Sequence, residues 1–207
     1  MREPTRIFAL RHGQTAWNAE QRIQGQLDIA LDETGVRQAA QLAQALAREG
    51  LRAIYSSDLL RARATAEPLA AASGLRVQTD TALRERAFGR FEGETSAEIE
   101  RRWPDEAARW RRRELDFGPG GGEDLVSFSA RSLSALTRLA DRHAGEAIAI
   151  VAHGGVLDCL YRAATGIDLA APRTWQLGNA RINRLLYTGE GFVVVGWNDD
   201  AHLAVPA

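Results

Sequence analysis

The sequence contains no lysine, so all 26 of its basic residues are arginine. This absence excludes Schiff-base catalysis by a lysine amine and the lysine of a P-loop. Cys159 is the only cysteine, which excludes an internal disulfide and is typical of proteins from a reducing compartment. Any anion that this chain binds must be bound largely by arginine, whose guanidinium pairs with phosphate or carboxylate oxygens through two parallel hydrogen bonds.

Long apolar runs are also missing, because no stretch of about 18 apolar residues occurs. The first ten residues, MREPTRIFAL, become polar too quickly for a secretion signal. We therefore expect no membrane partner and a cytoplasmic location. The formal net charge of −1 argues against a nucleic-acid-binding protein, which is normally basic.

Several catalytic motifs are absent as well. The four histidines are scattered, with no HExxH pattern and no Cys/His cluster, so we expect no metal site and no cofactor. There is no GxSxG nucleophile elbow for a serine hydrolase. No GxGxxG follows the first predicted strand, which disfavours dinucleotide binding.

What is present is an alternation of short apolar segments with helical stretches. Strands are predicted at 6–10, 52–56, 75–79, 147–152, 182–187 and 192–197. Helices are predicted at 33–49, 58–72, 95–114, 124–143 and 156–165, with Asp58 as an N-cap and a break at Pro104. This order predicts an α/β fold, a three-layer α/β/α sandwich with a mostly parallel central sheet. No linker divides the chain, so we expect a single domain over residues 1–207.

Reactive side chains follow four of the predicted strands. Arg11 and His12 follow the first strand, and Arg61 lies in the helix after the second. Glu85 comes after the third strand, and His153 directly after the most apolar one, AIAIVA. Because ligands bind at the carboxyl ends of the strands in open α/β sheets, these side chains are predicted to share one site.

Two histidines among several arginines suit a substrate with at least two negative charges, above all a phosphate monoester. A neutral imidazole is able to attack phosphorus while guanidinium groups stabilise the charge on the phosphoryl oxygens. The expected partner is therefore a small phosphorylated metabolite.

Four sequence blocks carry a resemblance to a known family. RHGQTAWN, SSDLLRARATAE, LRERAFGRFEG and VAHGGV occur in this order between about residues 5 and 197. In sequence and order these blocks resemble the histidine phosphatase superfamily, which includes cofactor-dependent phosphoglycerate mutase. The resemblance implies a phosphoglycerate mutase-like fold and catalysis of the histidine acid phosphatase type. We expect this catalysis to be metal-independent, because no ligand cluster exists and Arg11, Arg61 and the histidines supply positive charge.

The resemblance also implies a role for each matching residue. His12 is implied as the nucleophile that becomes phosphohistidine, with Glu85 as the acid that protonates the leaving oxygen. The phosphoryl group is implied to be held by Arg11, Arg61 and His153. The remaining positions implied to line the phosphate and substrate pocket are Asn18, Gln24, Gly25 and Gly154.

Three functions remain open after this comparison. FGRFEG and HGG, with a short segment between Glu85 and His153, resemble the phosphatase branch and favour a phosphomonoester hydrolase. The alternative is a mutase-type phosphotransferase, in which a second substrate hydroxyl takes the phosphoryl group. The non-enzyme alternative is a module that only binds a phosphorylated ligand. A monomer and a homodimer are equally compatible with the sequence.

Other features allow two interpretations. Residues 94–123 are expected to form a small helical cap, and the segment ERRWPDEAARWRRRE within them is dense in arginine and tryptophan. It is either a solvated helical surface or a cover over the site, with Arg102 or Arg111 touching the substrate. Cys159 is expected to be a buried packing residue. His143 and His202 lack partners in the pattern and are expected at the surface.

Overall fold

The computed structural model describes residues 3–204, which form one six-stranded sheet with the strand order β3-β2-β4-β1-β5-β6. Its strands are β1 (Thr5–Arg11), β2 (Leu51–Ser56), β3 (Val77–Thr79), β4 (Ala147–Ala152), β5 (Ile182–Tyr187) and β6 (Phe192–Asp199). The pairs β3/β2, β2/β4 and β4/β1 are parallel, whereas β5 runs antiparallel to both β1 and β6. The predicted mostly parallel sheet is confirmed.

Seven α-helices occur within the described residues. They are α1 (Ala16–Ala19), α2 (Glu33–Leu46), α3 (Leu60–Ser73), α4 (Ser96–Arg102), α5 (Pro104–Arg111), α6 (Leu125–Asp141) and α7 (Gly154–Thr165). Apolar residues of α2 and α3 pack on one face of the sheet, and those of α6 and α7 pack on the other. The three-layer α/β/α sandwich is therefore also confirmed. No helix among residues 3–204 is long and apolar enough to cross a membrane.

Strand β4 determines where the reactive residues meet. All six of its residues are buried, as expected for a central strand that is covered on both faces. Its parallel register with β1 pairs Ala152 with Arg11. The next residues along each strand, His12 and His153, are therefore neighbours at the carboxyl edge of the sheet.

The segment between β3 and α6 has a small apolar core of its own. Helix α4 ends at Arg102 and α5 begins with Pro104, a position where a missing N–H group costs no hydrogen bond. The fully buried side chains of Phe91 and Ile99 pack together with Ala107, and Trp103 and Trp110 lie against them.

Asp58 is not the N-cap of α3, so that prediction was wrong. Leu59 occupies the cap position and makes no side-chain cap hydrogen bond, and the N–H group of Leu60 donates to Oδ1 of Asp28 at 2.6 Å instead. Asp58 instead accepts a hydrogen bond of 2.7 Å from Nε of Arg84, and this interaction lowers the pKa of its carboxyl group. Asp28, from 32 residues earlier in the chain, takes the place of a local cap, and Asp58 pairs with Arg84, 26 residues later; helix-start patterns reveal neither contact.

The two histidines expected at the surface are both partly buried, which corrects that expectation. His143 lies between Tyr55 Oη, 2.8 Å from Nε2, and the Glu146 carboxylate, 2.6 Å from Nδ1. His202 makes a hydrogen bond of 2.9 Å through Nε2 to the carbonyl oxygen of Ala180. Tyr55 and Ala180 are distant in sequence from the histidines that they contact, so the local pattern gave no sign of them. Glu146, in contrast, lies only three residues after His143.

Candidate active site

A pocket of about 780 Å³ opens at the carboxyl edge of the sheet. Its wall includes the predicted residues Arg11, His12, Asn18, Gln24, Gly25, Arg61, Glu85 and Gly154. His153 is fully buried beside them, with its ring centre 5.2 Å from that of His12. The structure thus brings together all the residues that the sequence analysis assigned to the site.

One hydrogen bond fixes the tautomer of His12. Its Nδ1 lies 2.7 Å from the carbonyl oxygen of Gly13, its neighbour in the chain. A carbonyl oxygen only accepts hydrogen bonds, so we assign the ring proton to Nδ1. Nε2 of the neutral ring therefore keeps its lone pair, which is what a nucleophile requires.

The surroundings of His12 also keep its ring neutral. Burial lowers the pKa of this imidazole well below its usual value of 6.5, and the charges of Arg61 and Arg11 lower it further. Both effects disfavour the imidazolium form, because a further positive charge is unfavourable in a site that is shielded from water and already contains two guanidinium groups. The ring is consequently unprotonated at neutral and mildly acidic pH.

The two arginines beside His12 are held by backbone carbonyl groups. Arg11 donates from Nη1 to the oxygen of Leu177, while Arg61 donates to Gly25 at 2.7 Å and Leu27 at 2.8 Å. Burial lowers the pKa of Arg11 to about 10, so its guanidinium is still charged at neutral pH. The Nε atoms of both arginines are buried without a partner among the described residues. The Glu85 carboxylate offsets part of these charges, and the free donors with the excess positive charge favour the binding of an anion.

His153 adds a second imidazole to this cationic group. Neither of its ring nitrogens has a hydrogen-bond partner in the described part of the chain, although the residue is fully buried. Burial lowers the pKa of His153 well below 6.5, and the nearby Arg61 contributes in the same direction. An unpaired buried imidazole is unfavourable, and phosphoryl oxygens are suitable partners for its N–H group.

Glu85 lies against the beginning of α7. Its Oε1 accepts a hydrogen bond of 2.8 Å from the N–H group of Arg86, and its Oε2 accepts one of 3.0 Å from that of Gly155. A side chain at Gly155 is excluded, because a Cβ atom there would lie 2.2 Å from Oε1 of Glu85. The second glycine of His-Gly-Gly therefore makes room for the carboxylate.

Asn18 is oriented by neighbours that the sequence analysis did not identify. Its Oδ1 accepts hydrogen bonds of 3.1 Å from the N–H group of Thr15 and from Nδ2 of Asn179. Asn179 also donates to the carbonyl oxygen of His12 at 3.0 Å. With its oxygen occupied, Asn18 has its amide N–H groups available as donors at the pocket wall.

The loop that carries Gln24 and Gly25 is shaped by Glu92. Gly25 has a φ of +51°, and a Cβ atom there would lie 2.0 Å from Oε1 of Glu92. The same oxygen accepts hydrogen bonds from the N–H groups of Gln26, at 3.1 Å, and Phe88, at 2.9 Å. Glu92 thus holds two backbone segments together, which allows Gly25 to present its carbonyl oxygen to Arg61.

The outer part of the pocket is rich in arginine. Trp110 and Arg111 of α5 lie on the wall, whereas Arg102 pairs with Glu94 and does not line the pocket. The arginines on the wall are Arg11, Arg22, Arg61, Arg86, Arg111, Arg113 and Arg173. Glu85 and Asp158 are its only carboxylates among the described residues.

Arg86 was missed by the sequence analysis, although it follows Glu85 directly. It is buried and donates hydrogen bonds of 2.8 Å to the carbonyl oxygens of Phe117 and Glu123. Burial lowers the pKa of its guanidinium to about 10. Arg86 forms no ion pair with a carboxylate of residues 3–204, so it adds positive charge to the pocket in the same way as Arg11. Its place in the Arg-Glu-Arg triplet was the only signal in the sequence.

Cys159 is buried, as expected, and also borders the pocket. Burial raises the pKa of its thiol to about 12, which keeps it protonated and unreactive at neutral pH. Within residues 3–204, no group of three or more His, Cys, Asp or Glu side chains is arranged to hold a metal ion.

Comparison with known proteins identifies the class to which this fold and site belong. Residues 7–200 match the model of the histidine phosphatase superfamily (branch 1), and the chain belongs to this family. It is 40% identical over 202 residues to phosphoglycerate mutase-like protein 4 of Arabidopsis thaliana, covering 95% of this chain and 86% of that protein.

Solved structures of phosphatases have the same fold. A mycobacterial glucosyl-3-phosphoglycerate phosphatase has a TM-score of 0.82 and 34% identity, covering 97% of this chain and all of the other. Phosphoserine phosphatase of Entamoeba histolytica, solved with 3-phosphoglyceric acid, has a TM-score of 0.86 and 28% identity, covering 96% of this chain and 99% of the other.

The electrostatics of His12 lead to a prediction about its titration. Because burial and two guanidinium groups disfavour the imidazolium form, the ring should take up a proton only well below pH 6.5. A proton NMR titration of the histidine ring signals measures this midpoint. The His12 signal is identified by its absence from the spectrum of His12→Ala. A midpoint at or above pH 6.5 would contradict the neutral nucleophile.

Proposed function

We propose that this protein is a phosphomonoester hydrolase that acts through a phosphohistidine intermediate on small phosphorylated metabolites. The observation that carries the proposal is the state of His12, whose Nδ1 is hydrogen-bonded to the Gly13 carbonyl group, so that Nε2 of the neutral ring carries the lone pair. Arg11 and Arg61, held by carbonyl oxygens, provide positive charge beside this nucleophile. Membership of the histidine phosphatase superfamily supports the same chemistry.

In the proposed first step, Nε2 of His12 attacks phosphorus and the bond from phosphorus to the ester oxygen breaks. Arg11, Arg61 and His153 stabilise the charge on the phosphoryl oxygens, and Asn18 donates a further hydrogen bond. Protonated Glu85 gives its proton to the leaving oxygen, so that the alcohol departs neutral.

In the second step, water attacks phosphorus and the bond from phosphorus to Nε2 breaks. The Glu85 carboxylate takes a proton from the attacking water, which restores the acid for the next cycle. Inorganic phosphate leaves and His12 is free again. The two steps together consume one phosphomonoester and one water molecule and yield one alcohol and one phosphate.

We further propose that residues 1–207 act as one catalytic domain with residues 94–123 as its cap. Helices α4 and α5 lie in this segment, and Ser96, Ala107, Trp110 and Arg111 on the pocket wall come from them. The cap is short, which supports access of water to the phosphorylated intermediate and hence hydrolysis.

A mutase-type phosphotransferase is the second candidate, because the Arabidopsis relative is named phosphoglycerate mutase-like. Both functions use the same phosphohistidine and differ only in whether water or a substrate hydroxyl accepts the phosphoryl group. The short cap and the phosphatase names of the solved structures favour hydrolysis.

The first test of this function replaces the nucleophile. The wild-type protein should release phosphate from phosphomonoesters faster than it interconverts 3- and 2-phosphoglycerate. His12→Ala should lower phosphate release by about three decades or more, as expected when a nucleophile is removed. His143→Ala is the control, because His143 bonds to Tyr55 and Glu146 outside the pocket, and should retain activity. Retention of activity by His12→Ala would disprove the mechanism, and faster interconversion by the wild type would favour the mutase.

A second test concerns Glu85 as the acid. An alkyl phosphate has a poor leaving group that requires protonation, and general acid catalysis typically contributes about 10²–10⁴-fold. p-Nitrophenolate leaves with little help. Glu85→Gln should therefore slow phosphorylation of His12 by an alkyl phosphate far more than by p-nitrophenyl phosphate. Single-turnover measurement is needed, because the same residue also acts in the later hydrolysis.

Glu92→Gln is the matched control for this test. Glu92 accepts backbone hydrogen bonds through Oε1, and a glutamine oxygen is able to replace that acceptor. Its effect should be the same for both substrates. If the dependence on the leaving group appeared in Glu92→Gln instead of Glu85→Gln, the acid would be Glu92.

A third test addresses metal independence, which we propose because guanidinium groups already supply positive charge to the transferring group. Phosphate release should be unchanged after incubation with excess EDTA. The control is a parallel sample to which Mg²⁺ or Zn²⁺ is added back after chelation. Loss of activity in EDTA, with recovery on addition of either ion, would show that a metal stabilises the transferring group.

A further inference from the structure

A second carboxylate, Asp158, lies on the pocket wall and takes no part in the proposed chemistry. It belongs to α7, four residues after Gly154, so the two residues lie on the same side of the helix about one turn, ~5.4 Å, apart. Gly154 itself borders the Arg11 guanidinium, since a Cβ atom there would lie 3.6 Å from Nε of Arg11. Asp158 therefore borders the same pocket about one helical turn from the proposed phosphate-binding residues, within reach of the alcohol part of a phosphomonoester bound there.

The two oxygens of Asp158 have different surroundings. Oδ2 accepts hydrogen bonds of 3.0 Å from Nη2 of Arg113 and 2.9 Å from Nε of Arg162. Oδ1 is buried and has no hydrogen-bond partner among residues 3–204. An unsatisfied oxygen on a buried carboxylate is unfavourable, and it is an obvious acceptor for a donor that arrives with the substrate.

The partners of Asp158 hold it rigidly in place. Arg113 also donates from Nε to the carbonyl oxygen of Leu169 at 3.1 Å, and Arg162 donates from Nη2 to that of Ala171 at 2.9 Å. Arg113 has a φ of +55°. This left-handed backbone conformation is energetically unfavourable for any residue other than glycine. These contacts leave the carboxylate little freedom to turn Oδ1 toward another partner.

The local charge decides which kind of donor fits. The single negative charge of Asp158 faces the two positive charges of Arg113 and Arg162, and further arginines line the same pocket. An ammonium group would therefore meet a net positive environment, whereas a neutral hydroxyl group would not. A hydroxyl group also has a proton to donate to Oδ1.

We infer that Asp158 is a specificity-determining residue that accepts, through Oδ1, a hydrogen bond from a hydroxyl group on the alcohol part of the substrate. This inference rests on the proposed phosphomonoesterase function and narrows its substrates to polyol or sugar phosphates. Esters that lack the hydroxyl group, or carry an ammonium group instead, leave Oδ1 unpaired or add an unfavourable charge.

The test compares the binding of three phosphates to His12→Ala protein by calorimetry, because this variant does not turn them over. Glycerol 3-phosphate carries two hydroxyl groups beyond the ester, propyl phosphate carries none, and 3-aminopropyl phosphate carries an ammonium group. Affinity is preferred to rate, since hydroxyl groups also make an alcohol a better leaving group. Glycerol 3-phosphate should bind about 10-fold or more tightly than propyl phosphate, as expected for a hydrogen bond to a charged acceptor. 3-Aminopropyl phosphate should bind no more tightly than propyl phosphate.

Substitution of Asp158 should then remove this preference. In His12→Ala/Asp158→Ala, the affinities for glycerol 3-phosphate and propyl phosphate should agree within about 2-fold. Asp158→Asn keeps an oxygen that accepts hydrogen bonds from Arg113 and Arg162, so it should lower the preference for glycerol 3-phosphate by a smaller factor. This variant replaces the alanine variant in the test if the alanine variant does not fold. Asp199→Ala is the matched control, because Asp199 pairs with Arg184 outside the pocket and should leave the preference unchanged.

The outcomes separate this inference from the proposed function. Equal binding of glycerol 3-phosphate and propyl phosphate by His12→Ala, or an undiminished preference after both substitutions of Asp158, would overturn the role of Asp158. Tighter binding of 3-aminopropyl phosphate than of glycerol 3-phosphate would overturn the assignment of a hydroxyl group. Failure of the wild-type protein to release phosphate would overturn the proposed function, while the binding comparison would still decide the role of Asp158.

Discussion

Buried arginines whose hydrogen bonds end on backbone carbonyl oxygens are the constraint on which this site depends. Arg11 is bound by the carbonyl group of Leu177, and Arg61 by those of Gly25 and Leu27. A carboxylate partner would fix the same side chains but would neutralise them. Carbonyl groups fix their geometry without neutralising them. Glu85 nearby offsets part of the charge, and the excess positive charge favours an incoming dianion and holds the His12 ring neutral at the same time.

This arrangement places demands on the backbone around the pocket. The carbonyl groups must point inward, so the loop at Gly25 adopts a left-handed conformation and is tied down by Glu92. The beginning of α7 must approach Glu85 so closely that only glycine fits at position 155. Asn179 binds the His12 carbonyl group from the opposite side. The glycines around the pocket thus follow from the need to bring backbone atoms close to charged side chains.

The fold and the grouping of the candidate site residues at one sheet edge were largely predictable from the sequence, because both depend on local patterns. Apolar runs define the strands, and the rule that parallel strands end at one edge brings Arg11, His12 and His153 together. What was not predictable depends on partners distant in sequence. Asp58 pairs with Arg84 instead of capping α3, and Asn179 orients Asn18 across 161 residues. Neither contact is visible in the sequence, because the paired residues are not neighbours in the chain and follow no helical or strand period. Each contact forms only when the loops pack together.

The two ends of the pocket have different physical requirements. In the proposed mechanism the phosphoryl group is the same in every substrate, and at the inner end Arg11, His12 and His153 lie at or directly after strand ends, with Arg11 held by a main-chain carbonyl group. At the outer end, the alcohol varies, and the wall is built from side chains of α5, α7 and the segments after them. Asp158 connects these regions, because it lies on α7, which begins at the phosphate-binding end, yet its carboxylate is held by Arg113 from the segment after α5. Under the proposed function, changes in the outer segment are therefore expected to alter which alcohol is accepted without disturbing the geometry around His12.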